Sequence, residues 1–362
     1  MRIALMTAVA CLTAAPALAA GVERSTQPMS ILFEEGRYLE ASAGFGRPRI
    51  SGNLAAPFGG GATGNIAKNF LSGAIGYKAD INDALSYAIL LDQPIGADVV
   101  YPAGSPFATL SGEIKSTALT GVLRYKFGKG VSAYAGVKSV WTSGVVSIPG
   151  GLVAALGGPA ANYVLTSDTD QAFGYLLGVA YEKPEIALRV GLTYQSAVKH
   201  GFTAQERFGA APATATAFST TIPQSLTLDF RSGVAKDTLV FGSVRWVNWK
   251  EFVVPAPALN LNIVSYPDNA ITYTLGVGRK FNETWAGSLS LSHDTGTGNP
   301  TSNLGPVGTR NSVRLGLSYT RDAMTISGGL QYSRIGAATT TLGSRFDDNS
   351  AIGAGVRVGF RF

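Results

Sequence analysis

The chain is poor in charge. Of its 362 residues only 14% are Asp, Glu, Lys or Arg, against about 25% in an ordinary soluble domain. It has one cysteine, Cys11, and two histidines, His200 and His293. A single cysteine excludes a disulfide scaffold and zinc sites of the Cys-x-x-Cys type, and neither histidine has a Ser/Asp partner at a recognisable spacing. No catalytic residue, metal site or cofactor is therefore expected. Long apolar runs are also missing. Beyond the first twenty residues nothing approaches the ~18 consecutive apolar residues of a membrane-crossing helix, which excludes a mature helical membrane protein. The formal net charge of +6 is too small and too dispersed for nucleic-acid binding.

What is abundant is glycine, at 45 residues, and aromatics, with 17 Phe, 14 Tyr and 4 Trp. With 46% hydrophobic residues the chain has enough apolar surface to order itself. Residues 1–19 read as a signal peptide: Arg2 is the positive n-region, Ile3 to Leu12 the apolar core, and Ala17-Leu18-Ala19 the small-residue cleavage site. Cys11 falls inside it.

The remainder alternates with the period of a strand. In Val356 to Phe362, one face carries Val356, Val358, Phe360 and Phe362 and the other Arg357, Gly359 and Arg361. Asn311 to Tyr319, Met324 to Tyr332, Trp285 to Asp294 and Phe173 to Tyr181 repeat the pattern. Each is about ten residues long, as a tilted membrane-spanning strand requires. Short polar turns, such as Gly128-Lys129-Gly130 and Ala235-Lys236-Asp237, alternate strictly with long loops. These loops fall near 46–68, 93–111, 147–170, 200–222, 255–267, 295–308 and 336–350. Six turns and seven loops join fourteen strands. The fold expected is an all-β transmembrane antiparallel barrel in the outer membrane, with short periplasmic turns and long extracellular loops. Tyr125, Phe127, Tyr181, Trp246, Phe281, Trp285 and Tyr319 at strand ends supply the aromatic girdles. The Phe362 strand has the form of a signal for the barrel-assembly machinery, and the wall is expected to contact outer-membrane lipid. A soluble sandwich would carry more charge on its polar face.

Several segments resemble the FadL/TodX family of outer-membrane transporters for hydrophobic compounds. Leu85 to Ala97 is similar to its interrupted third strand, Leu192-Thr193-Tyr194-Gln195-Ser196 to its seventh, Ile222-Pro223-Gln224-Ser225 to the start of its eighth, and Trp246 to Phe252 to the end of its ninth. The resemblance implies passive uptake of hydrophobic molecules, long-chain fatty acids or similar amphipaths foremost, with no enzymatic activity. It also implies an N-terminal plug. Here that plug is reduced to 20–36, before a barrel over 37–362, and the family's Asn-Pro-Ala motif is absent. A structural or adhesion barrel with a packed lumen is the alternative function, and an outer-membrane hydrolase a more remote one.

Three sets of residues could carry transport. Gln93, Pro94 and Gly96 interrupt the third strand, because proline gives no N–H to the ladder. Locally this fits either a strand-to-loop exit or, by the resemblance, a gap in the barrel wall. Arg189, Arg231 and Arg245 fall on the pore-facing register of consecutive strands near short turns, with Phe241 and Trp249 on the face of Arg245. A desolvated guanidinium beside apolar surface suits a carboxylate head group; pairing with Asp229 would instead fill the lumen. Finally, Leu152 and Leu156, in an apolar stretch of the loop at 147–170, and Phe208 could form a capture groove or pack loop on loop.

Overall fold

The computed structural model describes residues 21–27 and 29–362, so the signal-peptide expectation for 1–19 lies outside the described residues. Fourteen antiparallel crossings close on themselves. They are β1 (Tyr38–Arg49), β2 (Phe70–Asp80), β3 (Leu85–Asp92, resuming as Gly96–Val100), β4 (Ser111–Gly128) and β5 (Val131–Ile148). Next come β6 (Tyr163–Ser167 and Asp170–Lys183), β7 (Leu188–Gln195 and Val198–Phe208) and β8 (Thr214–Ile222 and Ser225–Ala235). The circuit ends with β9 (Thr238–Val247), β10 (Ala270–Lys280), β11 (Trp285–Asp294), β12 (Arg310–Arg321), β13 (Met324–Ile335) and β14 (Asn349–Arg361). Each pairs with its sequence neighbour, and β14 returns to β1 with Arg361 opposite Tyr38. Closure pairs every crossing on both sides except for a short stretch between β2 and β3, and elsewhere leaves none of the free edges that the hydrocarbon of a bilayer forbids. No helix among the described residues is long and apolar enough to cross a membrane.

The alternation is turned inside out relative to a soluble protein. Leu119, Leu123, Phe173, Leu177, Val313, Leu315 and Leu317 are exposed on the outer wall, while Thr120, Arg124, Leu176 and Ser318 between them are buried inside. Burying the outer leucines in lipid contributes about 25 cal/mol per Å². One inward glycine is required by close approach. A Cβ on Gly178 would sit 2.1 Å from the Tyr134 ring, which lies across the strand there and donates to or accepts from Thr193 Oγ1 at 2.7 Å.

Two of the expected loops hold regular structure, and one of them, 200–222, is mostly strand. In 147–170 the structure has a one-and-a-half-turn helix, α1 (Gly150–Ala155), and the first segment of β6. In 200–222 strands β7 and β8 run on to a hairpin at 209–213. These extensions carry apolar residues inward (Phe202, Ala204) and polar ones outward (Lys199, Gln205), so they stand above the membrane. By the rule for outer-membrane barrels the long-loop end faces outside. A single cysteine at the exposed Ala155, in a background without Cys11, should therefore react with a membrane-impermeant maleimide on intact cells. One at Lys236 should react only after the outer membrane is opened. The reverse pattern would invert the topology.

The lumen is filled at two levels. Near the short turns, residues of the N-terminal segment, η1 (Met29–Phe33), enter the barrel and pack on Tyr134, Leu176 and Ala180. Toward the loops a larger apolar cluster joins Val22, Ile95, Leu152, Val198, Trp249 and Phe252.

Candidate functional site

The wall opens at β3. The β2–β3 ladder ends at the pair Ile75–Leu91, and contact resumes only at the Ala67–Val99 bridge. Between these limits Phe70 to Ala74 pair with β1 alone. The cause is one surplus residue. Asp92 pairs with Ala118 and Gly96 with Lys115 on β4, so three steps there are matched by four on β3, and the strand bulges inward at Gln93, Pro94 and Ile95.

The bulge does not hang free. Ile95 N–H donates to Ser116 Oγ at 2.9 Å and the hydroxyl donates back to Ile95 C=O at 2.7 Å. On its other side runs the N-terminal segment. Arg24 and Ser25 N–H donate to Pro94 C=O at 2.9 and 3.2 Å, and Gly96 N–H donates to Val22 C=O at 2.9 Å. The backbone groups that β2 leaves unpaired are thus satisfied from within the lumen. Arg24 spans the opening itself: its Nε donates to Gly96 C=O at 2.7 Å and its guanidinium lies 3.4 Å from the centre of the Phe70 ring. Burial lowers its pKa to about 10, with Asp98 opposing, so it stays charged at neutral pH. Gln27 Nε2 donates to Asp92 Oδ1 at 2.7 Å just below.

Two of the three arginines expected to face a head group, Arg245 and Arg189, contact this segment. Arg245 donates through Nη2 to Glu23 Oε1 at 2.5 Å and through Nη1 to Thr227 Oγ1 at 2.8 Å. Arg189 lies 4.2 Å over one face of the Phe33 ring and Arg124 lies 4.1 Å from the same ring. Arg124 also donates to Leu32 C=O at 3.0 Å and pairs with Glu182. Arg231 stands opposite Arg189 across the β7–β8 ladder, with Asp229 on the same face beside Gly191.

Phe241 and Trp249 do not meet. Strand β9 ends at Val247, and Trp249 opens a 3-10 turn, Trp249–Glu251. Its indole packs edge-on against Phe252 and Tyr266, at 5.8 and 5.4 Å between ring centres. The N-terminal chain passes flat against it at Gly21, where a Cβ would come within 2.9 Å of the ring. Phe241 belongs to a separate cluster with Leu239 and Ala286. The loop leucines turn inward: Leu152 is buried, while Leu156 and Phe208 pack against the upper cluster, Phe208 beside Tyr163 at 5.3 Å.

Above the bulge lies a cavity of about 60 Å³. Its wall is almost wholly apolar, formed by Ile95 and Ala97 of β3, Val22, Val146 of β5, Phe202 of β7 and Phe218 of β8. Its few polar side chains include His200, Thr142 and Thr220. Spacing along the chain gave His200 no partner. It is 1% exposed, bonded to Asp170 Oδ2 at 2.8 Å and Thr142 Oγ1 at 3.2 Å. Its partners lie some thirty residues or more away and meet it only through strand pairing; the inward register of Val198, His200 and Phe202 is the sequence signal that points to it. His293 meets Asn311 on the outer face, at 2.8 Å.

A model of the family described as outer membrane protein transport protein (OMPP1/FadL/TodX) matches residues 11–355. The chain belongs to this family. It is thus an outer-membrane barrel that transports hydrophobic compounds. Among solved structures, a Pseudomonas aeruginosa FadL homologue superimposes with a TM-score of 0.79 at 15% identity, covering 96% of each chain. The Pseudomonas putida toluene transporter TodX gives 0.68 at 15% identity over 93% of each chain. The Ralstonia pickettii toluene transporter TbuX gives 0.65 at 14%, over 96% of this chain and 97% of that one. At such identities the likeness carries the fold alone. A comparison with the curated proteins returned no match.

Proposed function

We propose that the barrel takes up compact, uncharged hydrophobic molecules, passing them from the loops to the upper cavity and out sideways through the opening in β3. The observation that carries this is the cavity's floor. Ile95, Ala97 and Val22 form it, and the first two belong to the strand whose bulge opens the wall. A guest in the cavity is therefore one side-chain layer from the membrane. The straight route to the short-turn end is blocked by Ile31, Leu32 and Phe33, all buried. Release past residues 20–36 as a moving plug would require breaking the Phe33–arginine sandwich.

Size and charge both favour a compact guest over a fatty acid. The cavity is smaller than the ~150 Å³ that accepts benzene in a dry engineered cavity, so even one ring must push Phe202 or Phe218 aside, and an extended acyl chain much more. A carboxylate would need a guanidinium without a partner, whereas Arg245 is committed to Glu23. The toluene transport named for the TodX and TbuX structures points the same way. The apolar helix α1 and Phe208 would be the first surface such a molecule meets.

We read the Asp170–His200–Thr142 chain as non-catalytic. Acyl transfer also needs N–H groups free to bind an oxyanion. Gly144 N–H already donates to Ser167 Oγ at 2.8 Å and Gly201 N–H to Asp170 Oδ2 at 3.3 Å.

Filling the cavity tests the reading. Val146→Trp should lower uptake of radiolabelled p-xylene by cells at least tenfold, with the variant still showing the heat-modifiable gel migration of a folded barrel. Undiminished uptake would remove the cavity from the path.

A further inference from the structure

We infer that the cavity recognises a hydroxyl group, so that its preferred guest is a compact aromatic alcohol of phenol type over the bare hydrocarbon of the same shape. This rests on the reading of the cavity as the ligand site. Beside Glu113, Ser143 and Ser167, three further polar side chains line the cavity: Thr142, His200 and Thr220. Asp170 Oδ2 accepts from His200 Nδ1–H at 2.8 Å and from Gly201 N–H at 3.3 Å. An ionised carboxylate has no proton to give, so Nδ1 carries the imidazole proton and Nε2 presents its lone pair. The Thr142 hydroxyl donates to that lone pair at 3.2 Å, which leaves the Thr142 oxygen able to accept.

Directly across the β7–β8 ladder from His200 stands Thr220. It lines the same cavity, is 8% exposed, and its Oγ1 has no hydrogen-bond partner among the described residues. A neighbouring hydroxyl shows the contrast: Ser167 Oγ accepts from Gly144 N–H and donates to Gly144 C=O. A buried hydroxyl left unpaired is costly, and a guest that satisfies it gains what an isostere without the group cannot. A ligand hydroxyl here would donate to Thr142 Oγ1 and accept from Thr220.

The rest of the guest fits the same frame. Phe202 and Phe218 face each other across the ladder two residues up from His200 and Thr220, with ring centres 5.2 Å apart. Two residues along a strand cover about 6–7 Å, close to the span of a para-substituted phenol from its methyl group to its hydroxyl. His200 itself stacks on Phe202, with ring centres 5.5 Å apart and 20° between planes.

The test pairs p-cresol with p-xylene, in which a methyl replaces the hydroxyl. Binding to the purified barrel is measured by titration calorimetry, with empty micelles as the blank. Wild type should bind p-cresol about tenfold more tightly, the scale of one or two neutral hydrogen bonds. Thr220→Val keeps the shape and should remove most of that preference while p-xylene affinity stays within about twofold. His200→Phe should act likewise, and Val146→Trp should abolish both affinities; heat-modifiable migration confirms that each variant is folded. Equal affinity of wild type for the two ligands, both lost in Val146→Trp, would overturn hydroxyl recognition and leave the cavity reading standing. A preference that survives both Thr220→Val and His200→Phe would also overturn it. Binding of neither ligand, or binding indifferent to Val146→Trp, would overturn both readings.

Discussion

Deletion of Pro94 alone should abolish most uptake while leaving a folded barrel. The register dictates the choice of residue. With Asp92 opposite Ala118 and Gly96 opposite Lys115, exactly two residues fit between them, to face Thr117 and Ser116. Without Pro94 these become Gln93 and Ile95, and Ile95 already exchanges hydrogen bonds with Ser116. The inward and outward faces keep their phase, so no side chain is forced to the wrong side of the wall. A straightened β3 can then pair with the free edge of β2 from Ala74 upward, closing the opening that Phe70 to Ala74 now border. Proline's missing N–H no longer interrupts the ladder, so assembly and thermal stability should be retained or improved. Uptake of p-xylene should fall at least tenfold. Normal uptake by a barrel of unchanged migration would mean that the ligand leaves by another route.

Much of this architecture was legible because lipid and lumen impose opposite preferences on alternate residues. Val313, Leu315 and Leu317 read as one face and Ser312, Arg314 and Gly316 as the other, and that is how the wall is built. The strict succession of short and long connections carried the count of fourteen. Above the membrane the signal changes meaning. Around Lys199 to Gln205 the outer face meets water, so period two persists without a lipid-facing apolar row, and the segment reads as loop. The break at Pro94 was visible as a local fault, but its consequence depends on a one-residue mismatch with β4 that only pairing reveals. The arginines lay on the expected face. What they touch was hidden, because Glu23, Leu32 and Phe33 belong to a segment whose course through the lumen leaves no periodic trace. The same holds for His200, whose partners Asp170 and Thr142 come from two other strands.

Arg245→Ala should destabilise the barrel rather than weaken binding of an anion selectively. Arg245 and Glu23 have side chains only 10% and 8% exposed and are separated by 2.5 Å. Removing one member of such a pair leaves the other charge desolvated and alone, at a cost of about 3–5 kcal/mol. Replacing both by neutral residues removes the pair without that penalty. The single variants Arg245→Ala and Glu23→Gln should therefore lower the urea midpoint of unfolding, Arg245→Ala the more because Thr227 also loses its donor. The pair Glu23→Gln with Arg245→Met should recover most of the loss, a coupling that a double-mutant cycle measures directly. Glu23 bridges Ile95 in the bulge, so a freed segment also loosens the floor of the cavity, and p-cresol and p-xylene should lose affinity together. A guanidinium reserved for a head group gives the opposite pattern. Laurate binding would fall tenfold or more in Arg245→Ala, a neutral ligand would be unaffected, and the urea midpoint would hold. That outcome would return Arg245 to the ligand and reopen the case for a fatty acid.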